Sequence, residues 1–529
     1  MKPHGGIILG RHNGKVLVDR SGEHVLVVGP TRCGKGDGVI MPTLLDGWYG
    51  SAVIHDPKGE LWEKTSGQRS TFGHCLKFDP TDINSVRINL FDLVDPDRCV
   101  ADVQNFVEIL TDGMAVNHWT MAAQELLTAA WLHLAWHAPV SQKNFGGLRR
   151  HIQKGDIGLM EIIKADANDT AVRIAQSLLS ISSYKDDGEE HELSTEEEKS
   201  NYRLSVYASA GVLLKLFDDP VMDHLTSATE ISFSQLVCGD YPVSLYLSIP
   251  DDDAPRVRPY IKALIIGIRR ALMKDERTDR YGELKQHRLL MCMDEYLDIK
   301  INDLSEAMTK AASFFITMLI VAQAYKLIEA AEKGRGDGAG IIGNCSTQVI
   351  YKPNLDTEAY RVEKMIGTVP VVEENESRSS DRISWGWSRK SVSRREVDKV
   401  ILPASELMKW PKRQWSIIWG HGKPIRAEVI RAHMEHRFAS KVVRPAPMRD
   451  MATGKVGDAP AEQFVSPWLD KVGTPVVIER KPKEKKMMAE KPKAKAKPVD
   501  PVKQAAEQNQ MVLVGIPTQN PPPPVRVIT

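Results

Sequence analysis

The chain has 529 residues, 42% of them hydrophobic and 26% charged. That is too long for one ordinary domain of roughly 100–200 residues, apolar enough to bury a real core, and charged like an ordinary soluble protein. Net charge is +1 and the run Lys481–Lys497 holds eight Lys and two Glu, which leaves the rest slightly acidic at about −5 and counts against a large DNA-coating surface, though not against a narrow basic pore.

No apolar run approaches the ~20 residues of a membrane span, and Met1–Gly10 has no signal-peptide core. The chain is therefore expected to be soluble or peripheral. Its six cysteines, Cys33, Cys75, Cys99, Cys238, Cys292 and Cys345, include no CxxC pair, so buried reduced thiols are expected and a zinc site is not.

In chain order, Glu23–Gly29 is a continuous apolar run that suits a strand covered on both faces. Similar runs follow at Ser51–His55, Val243–Ile249, Leu289–Met293, Phe314–Gln323, Thr347–Tyr351 and Gln414–Trp419, with helical patterns such as Pro259–Met273 and Asp356–Ile366 between them. Strands alternating with helices predict an α/β fold with a mostly parallel sheet. From about Pro96 to Phe233 the pattern is mainly helical, as in Ala123–Trp136 and Asn201–Phe217. The expected division is residues 1–95 and 234–442 as two parts of one α/β domain, 96–233 as an all-helical insertion, and 443–529 as a Pro- and Lys-rich disordered tail. The acidic stretch Asp186–Glu198 is expected to be a solvated loop, and Met511–Ile516 a short docking segment within the tail.

Gly29-Pro30-Thr31-Arg32-Cys33-Gly34-Lys35-Gly36 directly follows the first apolar run and matches G-x-x-x-x-G-K. Glycines at 29 and 34 let successive N–H groups face one anion, the following helix adds its positive end, and Lys35 would reach the β- and γ-phosphates. Gly36 stands where a Ser or Thr usually touches Mg²⁺. Asp37 next to it could supply an oxygen, although a carboxylate beside phosphates repels them. The expected acidic partner is Asp294-Glu295, at the carboxyl end of Leu289–Met293, where open α/β sheets bind ligands. There Asp294 would hold Mg²⁺ through water and Glu295 would polarise the attacking water of an ATPase. Gln323, ending the next run, could sense the γ-phosphate.

These residues resemble the TraG-like family of type IV secretion coupling proteins. The resemblance rests on Gly29–Gly36, Asp56-Pro-Lys-Gly-Glu60 with Trp62 and Phe78-Asp-Pro80, Leu245–Pro250, Met293–Tyr296, Asn344-Cys345 and Leu402–Met408, and it runs from about Gly10 to Met434. It implies a RecA-like P-loop NTPase carrying an all-helical domain, related more distantly to FtsK/HerA translocases and assembled as a homo-hexamer. It also implies ATP and Mg²⁺ as cofactors, and sequence-independent contact with DNA. The implied partners are relaxase or effector cargo and the secretion channel at the cytoplasmic face of the bacterial inner membrane. Asp56, Lys58 and Glu60 carry over as a motif without separate roles.

Two departures stand out. Family members usually begin with transmembrane helices, which here implies an unanchored member, a fragment, or a chain recruited by a membrane partner. An Arg that reaches the neighbouring subunit is replaced by the segment Lys310–Phe315. Lys310 is a nearby cation without the planar fork of Arg, and Arg335 is the other candidate. Two function classes therefore stay open, a DNA-moving ATPase and an ATPase-weak substrate receptor. The basic tail reads as a DNA contact or as a solubilising or membrane-surface segment.

Overall fold

The computed structural model describes residues 4–448, except 113, 166–167, 187–188, 251, 280–281, 300, 302, 332–337, 380–388 and 421. The Lys481–Lys497 run, Met511–Ile516, Arg335 and the tail from residue 449 lie outside the described residues.

The described strands are β1 (Ile7–His12), β2 (Lys15–Asp19), β3 (His24–Val28), β4 (Ser51–Asp56), β5 (His74–Phe78), β6 (Ser183–Asp186), β7 (Glu189–Glu192), β8 (Val243–Ser248), β9 (Leu289–Met293), β10 (Ile316–Ala322), β11 (Cys345–Tyr351), β12 (Thr368–Ser379), β13 (Arg389–Val400), β14 (Trp415–Trp419) and β15 (Ile425–Glu428). Eleven form one sheet in the order β2-β1-β15-β14-β11-β3-β10-β9-β4-β8-β5. From β11 to β5 every pair is parallel. β14, β15, β1 and β2 extend one edge antiparallel.

The reason lies in the apolar runs. β3, β4, β8, β9 and β10 are buried along their whole length, as strands covered on both faces must be. Their side chains alternate between two cores. Leu26, Val28, Met291, Met293, Met318 and Ile320 face one; Val25, Val27, Leu290, Cys292, Leu319 and Val321 face the other. The second core is closed by Val39, Ile40, Leu44 and Leu45 from the helical turns after β3, with Leu61 and Trp62 from the helix Glu60–Arg69.

The first core continues into the helical segment. There, Asn117, Asn144 and Asn168 cap the helices His118–His137, Phe145–Ile152 and Asp169–Leu179 through their side chains. His118–His137 is buried almost all round from Ala122 to Trp136, as the central helix of a helical core should be. Trp131 stacks on Phe91 at 4.7 Å, and Phe145 on Phe217 at 4.4 Å.

Asp186–Glu198 is not the solvated loop its charge predicts. It contributes to the β6–β7 hairpin and then starts the helix Glu196–Leu213. Thr195 and Glu198 form a capping box, and Glu196–Glu198 complement the helix dipole. The charged β12–β13 ribbon likewise has no counterpart in the expected elements.

Arg69 closes the base of the sheet. It is fully buried and donates to Ser244 Oγ (2.6 Å) and to the carbonyls of Trp48 and Gly50 (both 2.7 Å). Arg69→Met keeps the bulk and strands those acceptors. Urea unfolding is expected to show a loss of at least ~2 kcal/mol, whereas an unchanged midpoint would mean that water replaces the guanidinium.

Candidate functional site

The loop after β3 is shaped by close approach and by backbone sign. The Gly29 N–H donates to the Ala322 carbonyl of β10 at 3.1 Å. A Cβ on Gly29 would lie 2.6 Å from Tyr351 Cβ and 2.8 Å from Cys33 Sγ, so no other residue fits. Gly34 takes φ +103 and Arg32 φ 60, turning the loop so that it runs into the helix beginning at Lys35. A Cβ on Gly36 would meet nothing within 4 Å. The missing hydroxyl there is thus a matter of sequence and not of space.

Lys35 folds back on its own loop, donating Nζ to the carbonyls of Gly29 and Pro30. Burial pulls its pKa down, opposed by Cys33, Asp294 and Glu295. These charges are within electrostatic reach of one another.

The acids arrive from two strand ends. β9 lies between β10 and β4, and Asp294-Glu295 follows it directly, with Glu295 at φ 60. A left-handed non-glycine residue at such a place is strain held by its surroundings. His55, next to last in β4, supplies part of that hold. Its Nδ1 lies 2.7 Å from the Asp294 carbonyl. Burial lowers the ring to about 4, so it is neutral and Nδ1–H is the donor.

Asp294 is pushed up to about 7, first by burial, then by Glu295 and Asp56, with Lys35 and Lys58 opposing. Glu295 is raised by burial and by Asp298. Asp56 is raised by burial against the N–H groups of Trp62 and Leu61, the Trp62 N–H donating at 2.8 Å. Three enclosed carboxyls thus crowd one space with two lysines as counterions. An all-oxygen set of this kind suits a hard divalent cation such as Mg²⁺.

Residues 30–37, Asp56, Lys58, Glu60, Asp294 and Glu295 line a single cavity of about 890 Å³. Gln323 is not in it. With Gly29, Tyr325 and Tyr351 it lines an adjoining cavity of about 270 Å³ that shares Pro30 and Thr31. Although Asp37 lines the main cavity, its carboxylate accepts from the backbone N–H (3.2 Å) and Nδ1 (2.7 Å) of His433. It therefore holds the C-terminal segment against the loop. Lys310 stands elsewhere, beside Arg270 and Lys274 in a cavity of about 720 Å³.

Arg413 went unread in the sequence. It lines the main cavity and donates Nε to the Arg32 carbonyl at 2.9 Å. It lies far along the chain, just before β14, in no recognisable motif, and only the fold brings it to the loop.

The raised carboxyl of Asp294 carries a pH signature. Between about pH 4 and 7 it is protonated more in the folded than in the unfolded chain, so rising pH removes stability across that window. Asp294→Asn is expected to stabilise the ligand-free protein by about 1–2 kcal/mol near pH 8 and by almost nothing toward pH 4. Urea unfolding at both values checks this, and equal effects at the two would remove the electrostatic cause.

Residues 3–453 match the family model described as type IV secretory system conjugative DNA transfer. The chain is 31% identical over 422 residues to a conjugal transfer protein TraG of Escherichia coli, covering 76% of this chain and 63% of that one. It is 25% identical over 371 residues to protein VirD4 of Rhizobium radiobacter, covering 67% and 49%. The chain thus spans between about half and two thirds of these relatives' length. Among solved structures it resembles the plasmid coupling protein TrwB in complex with the ATP analogue ADPNP, with TM-score 0.56, 16% identity, and 81% and 90% of the two chains covered. For TrwB in complex with ADP and Mg²⁺ the values are 0.53, 15%, 83% and 92%. These likenesses show the fold alone, a RecA-like one with a mostly parallel sheet. By the family match across most of its length, residues 3–453, the chain belongs to the type IV secretory system conjugative DNA transfer family.

Proposed function

We propose that the chain binds ATP with Mg²⁺ in the cavity between the loop after β3 and the Asp294-Glu295 turn, and that hydrolysis there drives delivery of DNA or protein cargo to a secretion channel. The observation that carries this is the meeting of Lys35 with Asp56, Asp294 and Glu295 around one cavity.

The N–H groups at the start of the helix after Gly34 receive phosphate oxygens. Lys35 leaves its two loop carbonyls and donates to the β- and γ-phosphates. Asp294, with Asp56 beside it, holds Mg²⁺, which when bound neutralises charge on the phosphate oxygens. Glu295 orients and polarises the attacking water. Gln323 senses the γ-phosphate from the adjoining cavity, across the wall formed by Pro30 and Thr31. Arg413 adds a cation within the same chain.

In this reading residues 1–95 and 234–442 form the nucleotide-binding part and 96–233 the helical part. The chain acts as a homo-hexamer at the cytoplasmic face of the inner membrane. Contact with DNA is sequence-independent, and relaxase or effector cargo and channel proteins are its partners. None of the described helices is long and apolar enough to cross a membrane. Lys35→Ala is expected to abolish ATP turnover and any stimulation of it by DNA. Undiminished turnover in that variant would end the proposal.

Gly36 favours a second reading, a nucleotide-binding receptor with weak hydrolysis, because one protein oxygen for the cation is lacking. The space beside Gly36 makes the difference testable. Gly36→Thr is expected to strengthen Mg²⁺-dependent nucleotide binding several-fold, equivalent to ~1 kcal/mol, as measured by calorimetry with and without Mg²⁺. If turnover rises with affinity, the missing ligand limits the motor. If affinity rises alone, the receptor reading gains.

A further inference from the structure

The helical segment gathers a second set of reactive side chains, none of which lines the nucleotide cavity. His133 and His137 lie one turn apart near the end of the helix His118–His137. His133 meets His151, near the end of Phe145–Ile152, and Glu161 in the helix Asp156–Ala165. The His133 ring centroid is 5.4 Å from that of His137 and 5.0 Å from that of His151. Glu161 Oε2 is 3.6 Å from His151 Nδ1. His133, His151 and Glu161 each offer a ligand atom within 4.8 Å of the other two.

Burial makes this arrangement costly as it stands. His133 is 8% exposed and His151 4%. Among the described residues, His133 Nδ1, His137 Nε2 and His151 Nε2 are buried with no hydrogen-bond partner. Folded interiors pair nearly all such atoms, and an orphan asks for a missing water or ion.

We propose that His133, His151 and Glu161 form a binding site for a divalent first-row transition-metal ion, zinc by preference, with His137 as the next donor. Two imidazoles and a carboxylate are a zinc donor set, and His137 or water completes a tetrahedron. A hard ion such as Mg²⁺ prefers oxygen alone. Glu161 Oε2, which faces His151 Nδ1, is also 2.7 Å from Lys154 Nζ, so the ion would share that carboxylate with the ammonium. The donors come from three helices, so the ion would cross-link the segment and play no part in the phosphate chemistry.

The test uses the full chain stripped with chelator, titrated with Zn²⁺ by calorimetry and with Co²⁺ by visible absorption. The expected result is about one equivalent bound with micromolar or tighter affinity and a raised thermal midpoint. The Co²⁺ spectrum should show ligand-field bands with no thiolate charge-transfer band. His133→Ala with His151→Ala should lose this binding. Glu161→Gln, at a partly exposed position, should weaken it about 10-fold or more while leaving nucleotide binding unchanged, and it stands as the variant of record if the double substitution fails to fold. No Zn²⁺ bound by the stripped wild-type chain, or affinity unchanged in Glu161→Gln, would overturn the proposal. So would a thiolate band, which would place the ion at Cys238, Asp279 and Glu283 instead.

Discussion

Everything at the candidate site follows from how much charge the buried carboxyl ends of central strands will hold. β3, β4 and β9 are enclosed because their residues are apolar, and the same enclosure reaches the groups that follow them. Asp56, Asp294 and Glu295 are driven toward protonation, while Lys35 is driven toward neutrality. In water these charges would cost little, but at a strand end each needs the others or a bound ion. A site of this kind is unfinished by itself. Its stability and its affinity for a charged ligand have the same electrostatic origin.

The surroundings hold the unfinished parts in place. Gly29 is pressed between Tyr351 and Cys33 and tied to β10. His55 carries the Asp294 carbonyl, and through it the left-handed Glu295. Asp37 binds His433, and Asp46 further along the same helix binds Arg437 and Lys441. The segment after β15 is thereby strapped across the helix that follows the loop. The antiparallel edge of β14, β15, β1 and β2 supports this strap, since β14 pairs with β11 and β11 with β3.

The helical segment follows a different logic. Its core is continuous with one face of the sheet, through ring contacts such as Trp131 with Phe91 and Phe145 with Tyr260. A displacement of these helices would therefore load the sheet directly, because packed cores resist compression. Local polar order within the segment comes from caps and from ion pairs such as Arg203 with Asp156.

The sequence by itself determined the strands that are buried on both faces, the G-x-x-x-x-G-K loop and the acid pair. Each is a local pattern: an apolar run, glycines at fixed offsets, two carboxylates after a strand. The family was legible for the same reason, since its motifs are short and ordered along the chain. What only the tertiary structure decided was adjacency. β1, β2 and β15 are too short or too polar to read as strands alone and exist because β14 offers an open edge. Arg413 reaches the loop, Gln323 falls in the neighbouring cavity, and Lys310 in another still, because strand order and register place them. The acidic stretch Asp186–Glu198 looked like a solvated loop until a capping box gave its charges a helix end to meet. His133 and His137 sit four apart on one largely buried helix, while His151 follows two arginines on another. Only packing three helices together turned them into a cluster, since contact between helices depends on where whole faces meet and not on neighbours in the chain.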